Sequence, residues 1–366
     1  MIILNLKLNN IYGFTNFSID FSYPKKIVNS LIEDEFLEGH PNFRYKKAVI
    51  LMGANATGKT SLGKALLNIV NFINSGDPAS LHSLALADRV ASFQIDFING
   101  DYVLHRLSGE LNESENGNEV NVKYFRTEIL AKDSYEMCRE RLMECKEKDY
   151  AAICRHIGKI NYTFSCPDIK PTAKVSKIKK PLALKTLRAV IGTLDPTLTE
   201  VSIAKDLRNS FVIRRNREEI IIQDGKLLNR DSLSSGTSEG VDISFFLALL
   251  MAERNGFYYC DEHFSYIQSD IEKKIFGLMI EHLGRSGQLI FTTHNTDMLD
   301  LNLPKHCFAF LRKRKEDGYN VCVTYASEIL KRNTDSIRCA VENDVFSSLP
   351  DESLLDELEM RCDDEE

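Results

Sequence analysis

The stretch that most constrains this chain is GANATGKT, Gly53 to Thr60, set directly after the apolar run AVILM (48–52). It satisfies G-x-x-x-x-G-K-[ST] in an informative context: an apolar strand before it, and helical spacing of Leu62, Leu66, Ile69 and Phe72 after it. Glycines let successive backbone N–H groups curl round an anion, and the N-terminus of the following helix adds positive potential. Gly53, Asn55, Ala56, Thr57, Gly58, Lys59, Thr60 and Ser61 are therefore the expected phosphate-binding residues. In that role Lys59 reaches the β- and γ-phosphates of a nucleoside triphosphate, and the Thr60 hydroxyl ligates Mg²⁺.

A phosphate loop alone hydrolyses nothing. Its expected partner is an apolar strand ending in carboxylates, and Phe257-Tyr258-Tyr259-Cys260-Asp261-Glu262 supplies one. Asp261 is placed to hold the Mg²⁺, directly or through water, and Glu262 to orient or deprotonate the attacking water. A second apolar strand, Leu289–Thr292, closes on Thr293-His294-Asn295. A histidine at the C-terminal edge of a parallel sheet lies where ligands bind, so His294 is read as a γ-phosphate contact. His263, beside Glu262, is read as packing.

The other elements follow from periodicity. Residues 3–21 alternate over two short strands broken near Gly13, and 92–107 form a hairpin about Asn99-Gly100. The chain turns polar from Leu111 to Asn118, and then reads as mainly helical to Ile191. Another hairpin is expected about Asp224-Gly225, followed by helix (241–253), strand, helix (270–283) and strand. This order predicts an α/β fold: a parallel-sheet nucleotide fold interrupted by a helical domain. The expected domains are an N-terminal lobe (1–110), a mainly helical insertion (111–215), a C-terminal lobe (216–325) and a tail (326–366) with an acidic end.

Composition narrows the classes. Of 366 residues, 43% are apolar and 27% charged, ordinary for a globular protein, and the apolar runs are too short to span a bilayer. MIILNLKLNN reads as a strand, without the basic flank of a signal peptide. The nine cysteines form no CxxC pairs, so reduced thiols in a cytoplasmic protein are expected. A net charge of −7 argues against simple coating of nucleic acid, without excluding a local basic face.

Leu233-Ser234-Ser235-Gly236-Thr237 precedes an apolar helix. Alone it reads as a helix cap, with Ser234 or Ser235 as the capping oxygen. Taken in order, GANATGKTS, LSSGT, YYCDE and TTHN resemble the ABC-type ATPases. The combination is more closely similar to the stand-alone AAA/ABC-like ATPases of antiphage and abortive-infection systems, relatives of the OLD-nuclease and SMC-like ATPase modules. The resemblance runs from the first strands to about Tyr325 and is weakest over 111–215. It implies a P-loop ATPase head with a mixed sheet, a parallel core and a helical insertion subdomain, ATP and Mg²⁺ as cofactors, and a homodimer or higher homo-oligomer. It also implies that Ser234, Ser235 and Gly236 complete the neighbouring subunit's site. Ser235 replaces a glycine usual in that signature, and HFSYIQSD after Glu262 lacks the proline and terminal aspartate of transporter ATPases. For the family's metal-contacting glutamine, Gln94 is the nearest candidate, although it lies within an expected strand.

Long heptad arms are absent, and about seventy residues after Asn295 are too few for an appended nuclease domain. The leading expectation is therefore an ATPase that controls a separate effector, a nuclease or toxin, in antiphage defence, with DNA or a phage protein as possible trigger and no membrane. The alternative is a DNA-binding ATPase of the SMC-like class, using Lys174, Lys177, Lys179, Lys180, Lys185 and Arg188. A solvated basic face, or a docking surface for an acidic partner, explains the same run.

Overall fold

The structure, a computed structural model, describes residues 1–348 except 29, 85–88, 115–116, 167–174, 176, 199, 205–206, 216–217, 230–232, 315–317 and 333. Lys174, Asp231, Ser232 and the acidic end of the tail lie outside the described residues.

A six-stranded sheet forms the centre, in the order Tyr162–Ser165, Phe257–Asp261, Gln288–Thr292, Ala48–Met52, Phe308–Arg314, Asn320–Tyr325. The first five strands run parallel, and the last returns antiparallel to its neighbour. Ala48–Met52 and Phe257–Asp261 are buried along their whole length, as expected of strands covered on both faces. Register does the functional work: Thr292 lies opposite Asp261 on one side and Leu51 on the other. Three strands therefore end at one level, directly below the glycine loop.

On one face lies the helix Lys59–Ser75, which buries Leu62, Leu66, Ile69, Phe72 and Ile73. That stripe is held between the central sheet and a second, antiparallel sheet built from Ile2–Asn9, Phe17–Asp20, Ala91–Ile98, Val103–Ser114, Gly117–Glu128 and Met143–Glu144. Truncating one such leucine to alanine would cost about 2–5 kcal/mol. The opposite face is covered by the helices Ser235–Ala252 and Ser269–His282. Ser235–Ala252 is buried almost all round because its outer side packs under the helix Lys180–Leu194 and a four-stranded antiparallel sheet spanning Glu200–Leu227.

Expected hairpins at Asn99-Gly100 and Asp224-Gly225 are present. The mainly helical insertion over 111–215 is not. The chain there pairs Val103–Ser114 with Gly117–Glu128 in a long hairpin. Its helices among the described residues are the short Tyr135–Glu140 and Tyr150–Ile157 and the longer Lys180–Leu194. Tyr162–Ser165 is itself a strand of the central sheet, so the region is interwoven with the head. Ser134 and Asp149 each cap a new helix, which explains why the charged stretch 133–160 is two pieces and not one. Among the described residues, no helix is long and apolar enough to cross a membrane.

Candidate functional site

Gly53 and Gly58 shape the loop. Gly53 adopts φ 156°, and a Cβ there would come within 2.5 Å of the Leu311 carbonyl oxygen. Gly58 adopts φ 98°, and a Cβ there would meet the Phe14 ring at 2.8 Å. Ala56 also has positive φ, 61°, so the loop is a run of turns no ordinary helix start would need. Thr57 closes it from inside, its hydroxyl donating to the Ala54 carbonyl at 2.8 Å. Asn55 and Ala56 stand exposed at the tip.

Lys59 begins the helix and is buried. Its ammonium donates to the Gly53 carbonyl at 2.7 Å and lies 3.3 Å from Glu262 Oε1. Burial lowers its pKa, against the raising influence of Glu262 and Asp261. The next side chain, Thr60, donates to Asp261 Oδ2 at 2.6 Å, while Thr292 donates to Asp261 Oδ1 at 2.6 Å. Burial raises the Asp261 pKa, and these two hydroxyls work against the rise. Tyr259, two residues earlier on the strand, donates its hydroxyl to the Lys59 carbonyl at 2.5 Å and fixes helix to strand.

At Glu262 the strand has ended and φ turns positive, 49°. Its N–H is anchored on Thr292, by the hydroxyl at 3.1 Å and the carbonyl at 3.3 Å. The carboxylate meets His294 Nε2 at 2.8 Å. That hydrogen bond is the main cause holding the Glu262 pKa below the ordinary range; burial opposes it and Lys59 assists. A cavity of about 410 Å³ is lined by the loop from Asn55 to Ser61, by Glu262, and on its far side by Tyr12, Lys313 and Tyr319. A second cleft, about 380 Å³, contains Glu262, Glu272 and His294. Glu262 joins the two.

Ser234, Ser235 and Gly236 line neither cavity. Ser234 caps the helix Ser235–Ala252, its Oγ accepting from the Thr237 N–H at 3.2 Å, while Ser235 points outward, exposed. A Cβ on Gly236 would meet the Tyr266 carbonyl oxygen at 2.7 Å. Glu239 Oε2 accepts from the Tyr266 N–H at 3.3 Å. The turn is thus tied to the segment that follows Glu262. Gln94 sits within the strand Ala91–Ile98 and lines a separate cavity with Lys7 and Ser108. His263 is buried against the Ser165 hydroxyl at 2.6 Å, consistent with packing.

One residue of the site was missed in the sequence. Glu272, on the helix Ser269–His282, is buried and accepts from Thr293 Oγ1 at 2.8 Å and Asn295 Nδ2 at 2.6 Å. Burial raises its pKa; these two hydrogen bonds oppose the rise. It holds both neighbours of His294. The available signal was an acidic residue on an otherwise apolar helical stripe with Ile275, Phe276 and Met279.

No protein-family profile matches this chain, and no curated protein matches it in sequence. Solved structures do match in fold. An SMC head bound to the C-terminal winged-helix domain of ScpA aligns over 90% of this chain and 100% of its own length, at 14% identity and a TM-score of 0.52. An SMC head with an extended coiled coil, bound to the C-terminal domain of ScpA derived from Pyrococcus furiosus, aligns over 90% and 98%, at 13% identity and a TM-score of 0.50. The chain has the fold of these SMC heads.

Proposed function

We propose that this protein is a Mg²⁺-dependent ATPase that acts as a head-to-tail pair. The observation that carries the reading is the meeting of Thr60, Asp261, Glu262 and His294 at the ends of three parallel strands, beneath a glycine loop, in an SMC-head fold. The residues fit the cofactor: a hydroxyl and a carboxylate, both hard oxygen donors, already lie within one hydrogen bond of each other. They also fit the nucleotide, because the glycine loop and the N-terminus of its helix line a cavity of about 410 Å³.

In this reading Gly53 to Ser61 cradle the triphosphate, and Thr60 and Asp261 hold the Mg²⁺, which when bound neutralises phosphate charge. Glu262 accepts the proton of the attacking water, with its carboxylate aimed by His294. Lys59 leaves the Gly53 carbonyl for the phosphates. Ser234, Ser235 and Gly236 complete the neighbour's site, which accords with their lining neither cavity of their own chain. The test is hydrolysis by the purified protein as its concentration is raised. Activity per molecule should climb and then saturate as pairs form. A constant specific activity carried by a monomer would refute pairing, and no hydrolysis with Mg²⁺ would refute the ATPase.

For what the pair controls, we propose a separate nuclease or toxin in antiphage defence, a reading supported by the sequence resemblance. Co-purification with, and nucleotide-dependent release of, a neighbouring gene product tests it. The SMC-head fold favours a second reading, action on DNA. Lys177, Lys179, Lys185 and Arg188 are exposed at the start of and along the helix Lys180–Leu194. Neutralising them should flatten the salt dependence of duplex binding by nearly one unit of slope per lost phosphate contact. An unchanged slope rejects this surface.

A further inference from the structure

Away from the phosphate loop, three side chains able to bind metal converge in the interior: Glu35, His306 and Cys307. Each offers a donor atom, an oxygen, a nitrogen and a sulfur, and the three donors lie within 4.8 Å of one another. Glu35 is 2% exposed, His306 4% and Cys307 0%. They come from opposite ends of the described chain. Glu35 immediately precedes the strand Phe36–Leu37, and the other two end the short helix Lys305–Cys307 that leads into the central strand Phe308–Arg314.

Glu35 Oε1 meets His306 Nε2 at 2.6 Å. Its second oxygen, Oε2, is buried with no hydrogen-bond partner. A carboxylate oxygen orphaned in the interior is unfavourable unless something cationic satisfies it. Lys46 does not bond it; its ammonium is engaged by the carbonyls of Asp20 and Ser22, at 2.6 and 2.8 Å. We infer that Glu35, His306 and Cys307 form a binding site for a divalent ion of the zinc class, which ties the segment before Phe36 to the central sheet.

The donor set supports that class of ion. Mixed sulfur, imidazole and carboxylate ligation suits Zn²⁺ and Co²⁺, and excludes Ca²⁺ and Mg²⁺, which take oxygen alone. Tetrahedral bonds of about 2.0–2.3 Å separate donors by roughly 3.5 Å, so the Glu35–His306 pair opens by about 1 Å to admit the ion. Burial and the Glu35 charge hold the Cys307 thiol well above its ordinary pKa. An ion between them reverses that influence, and its binding releases the thiol proton to solvent. The site uses neither the glycine loop nor ATP, so its failure would leave the proposed ATPase standing.

The test is a Co²⁺ titration of the chelator-treated whole protein, with metal analysis of the protein as purified. One equivalent should bind and produce a sulfur-to-cobalt charge-transfer band. Cys307→Ser should abolish the band and Glu35→Gln should weaken binding by at least tenfold, the loss seen when even an outer partner of a metal ligand is removed. Cys339→Ser, at an exposed thiol, should change neither. A wild-type protein that takes up no equivalent and shows no band overturns the inference. So does a band that survives in Cys307→Ser; the cluster is then an internal Glu–His pair beside a thiol.

Discussion

Thr60 and Asp261, 201 positions apart in the chain, share a hydrogen bond of 2.6 Å between hydroxyl and carboxylate. The bond joins the helix after the glycine loop to the end of a neighbouring strand. It presents two oxygen donors to the same point.

Asp261 is kept at this point against its own solvation, since burial raises its pKa. A carboxylate whose pKa is raised in the fold destabilises the native state in full above the folded value, and that cost fades as the pH falls from there to the unfolded value. Asp261→Asn should therefore raise the melting midpoint at neutral pH while abolishing Mg²⁺-dependent turnover. Thermal unfolding beside an ATPase assay checks both. Equal or lower stability would show that the two hydroxyls already offset the burial.

Glu262→Gln keeps the size of the side chain and removes the proton acceptor. Turnover should fall by roughly 10²–10⁴-fold with nucleotide binding retained, and the paired state should accumulate in the presence of ATP. Lys59→Ala should instead lose binding. A Glu262→Gln protein that hydrolyses ATP at the parental rate removes Glu262 from the mechanism.

The hydrogen bond from His294, helped by Lys59, holds the Glu262 carboxyl below the ordinary glutamate range. A depressed carboxyl pKa contributes stability above the unfolded value, and that contribution is lost as the pH falls through the folded value. The acid limb of the rate profile should accordingly lie below the usual glutamate pKa. In His294→Ala it should move upward. A limb that does not move would mean that another group sets it.

Glu272 touches no cavity-lining atom of the loop, yet it grips Thr293 and Asn295 on either side of His294. Glu272→Ala should leave ATP affinity within a few fold and lower kcat by about tenfold or more, with the same upward drift of the acid limb as His294→Ala. Glu272→Gln, which can still bond Thr293, should recover part of the rate. Loss of affinity in step with rate would assign Glu272 a merely structural role.

Two serines separate pairing from folding. Ser234 caps its helix, so Ser234→Arg loses a cap of about 0.5–2 kcal/mol as well as the turn's surface. Ser235 is exposed, so Ser235→Arg should abolish the dependence of activity on concentration with little change in melting. Full pairing in both variants would exclude this turn from the interface.

The loop, the two acidic and histidine-ended strands, and the helices following them were legible because each carries its own local pattern. GANATGKT needs its glycines, and runs such as AVILM or FYYCD are buried on both faces. The strand of the long hairpin was read as far as Leu107, but its continuation to Ser114 and the return strand Gly117–Glu128 were not. The inward row on the first strand is His105, Leu107, Gly109 and Leu111, where a histidine and a glycine interrupt the alternation. His105 sits there by hydrogen-bonding Tyr124 at 2.8 Å, a partner nineteen residues away. Glycine is required at 109 because a Cβ would meet the Phe93 ring at 2.2 Å. Both causes are tertiary. Glu272 escaped for the same reason: its partners lie on another strand's end, and a buried glutamate looks polar in a sequence whatever it bonds.

The anchoring of Gly236 and Glu239 on Tyr266 has a thermodynamic consequence. In the proposed pair, the face a subunit offers its neighbour is fastened to the backbone just beyond Glu262, the proposed catalytic carboxylate. Whatever a ligand does to that backbone in one site must alter the fit of the turn in the other, and by linkage the influence is equal in both directions. A pair built this way cannot run as two independent clocks. Occupancy of one site would change the affinity of the other.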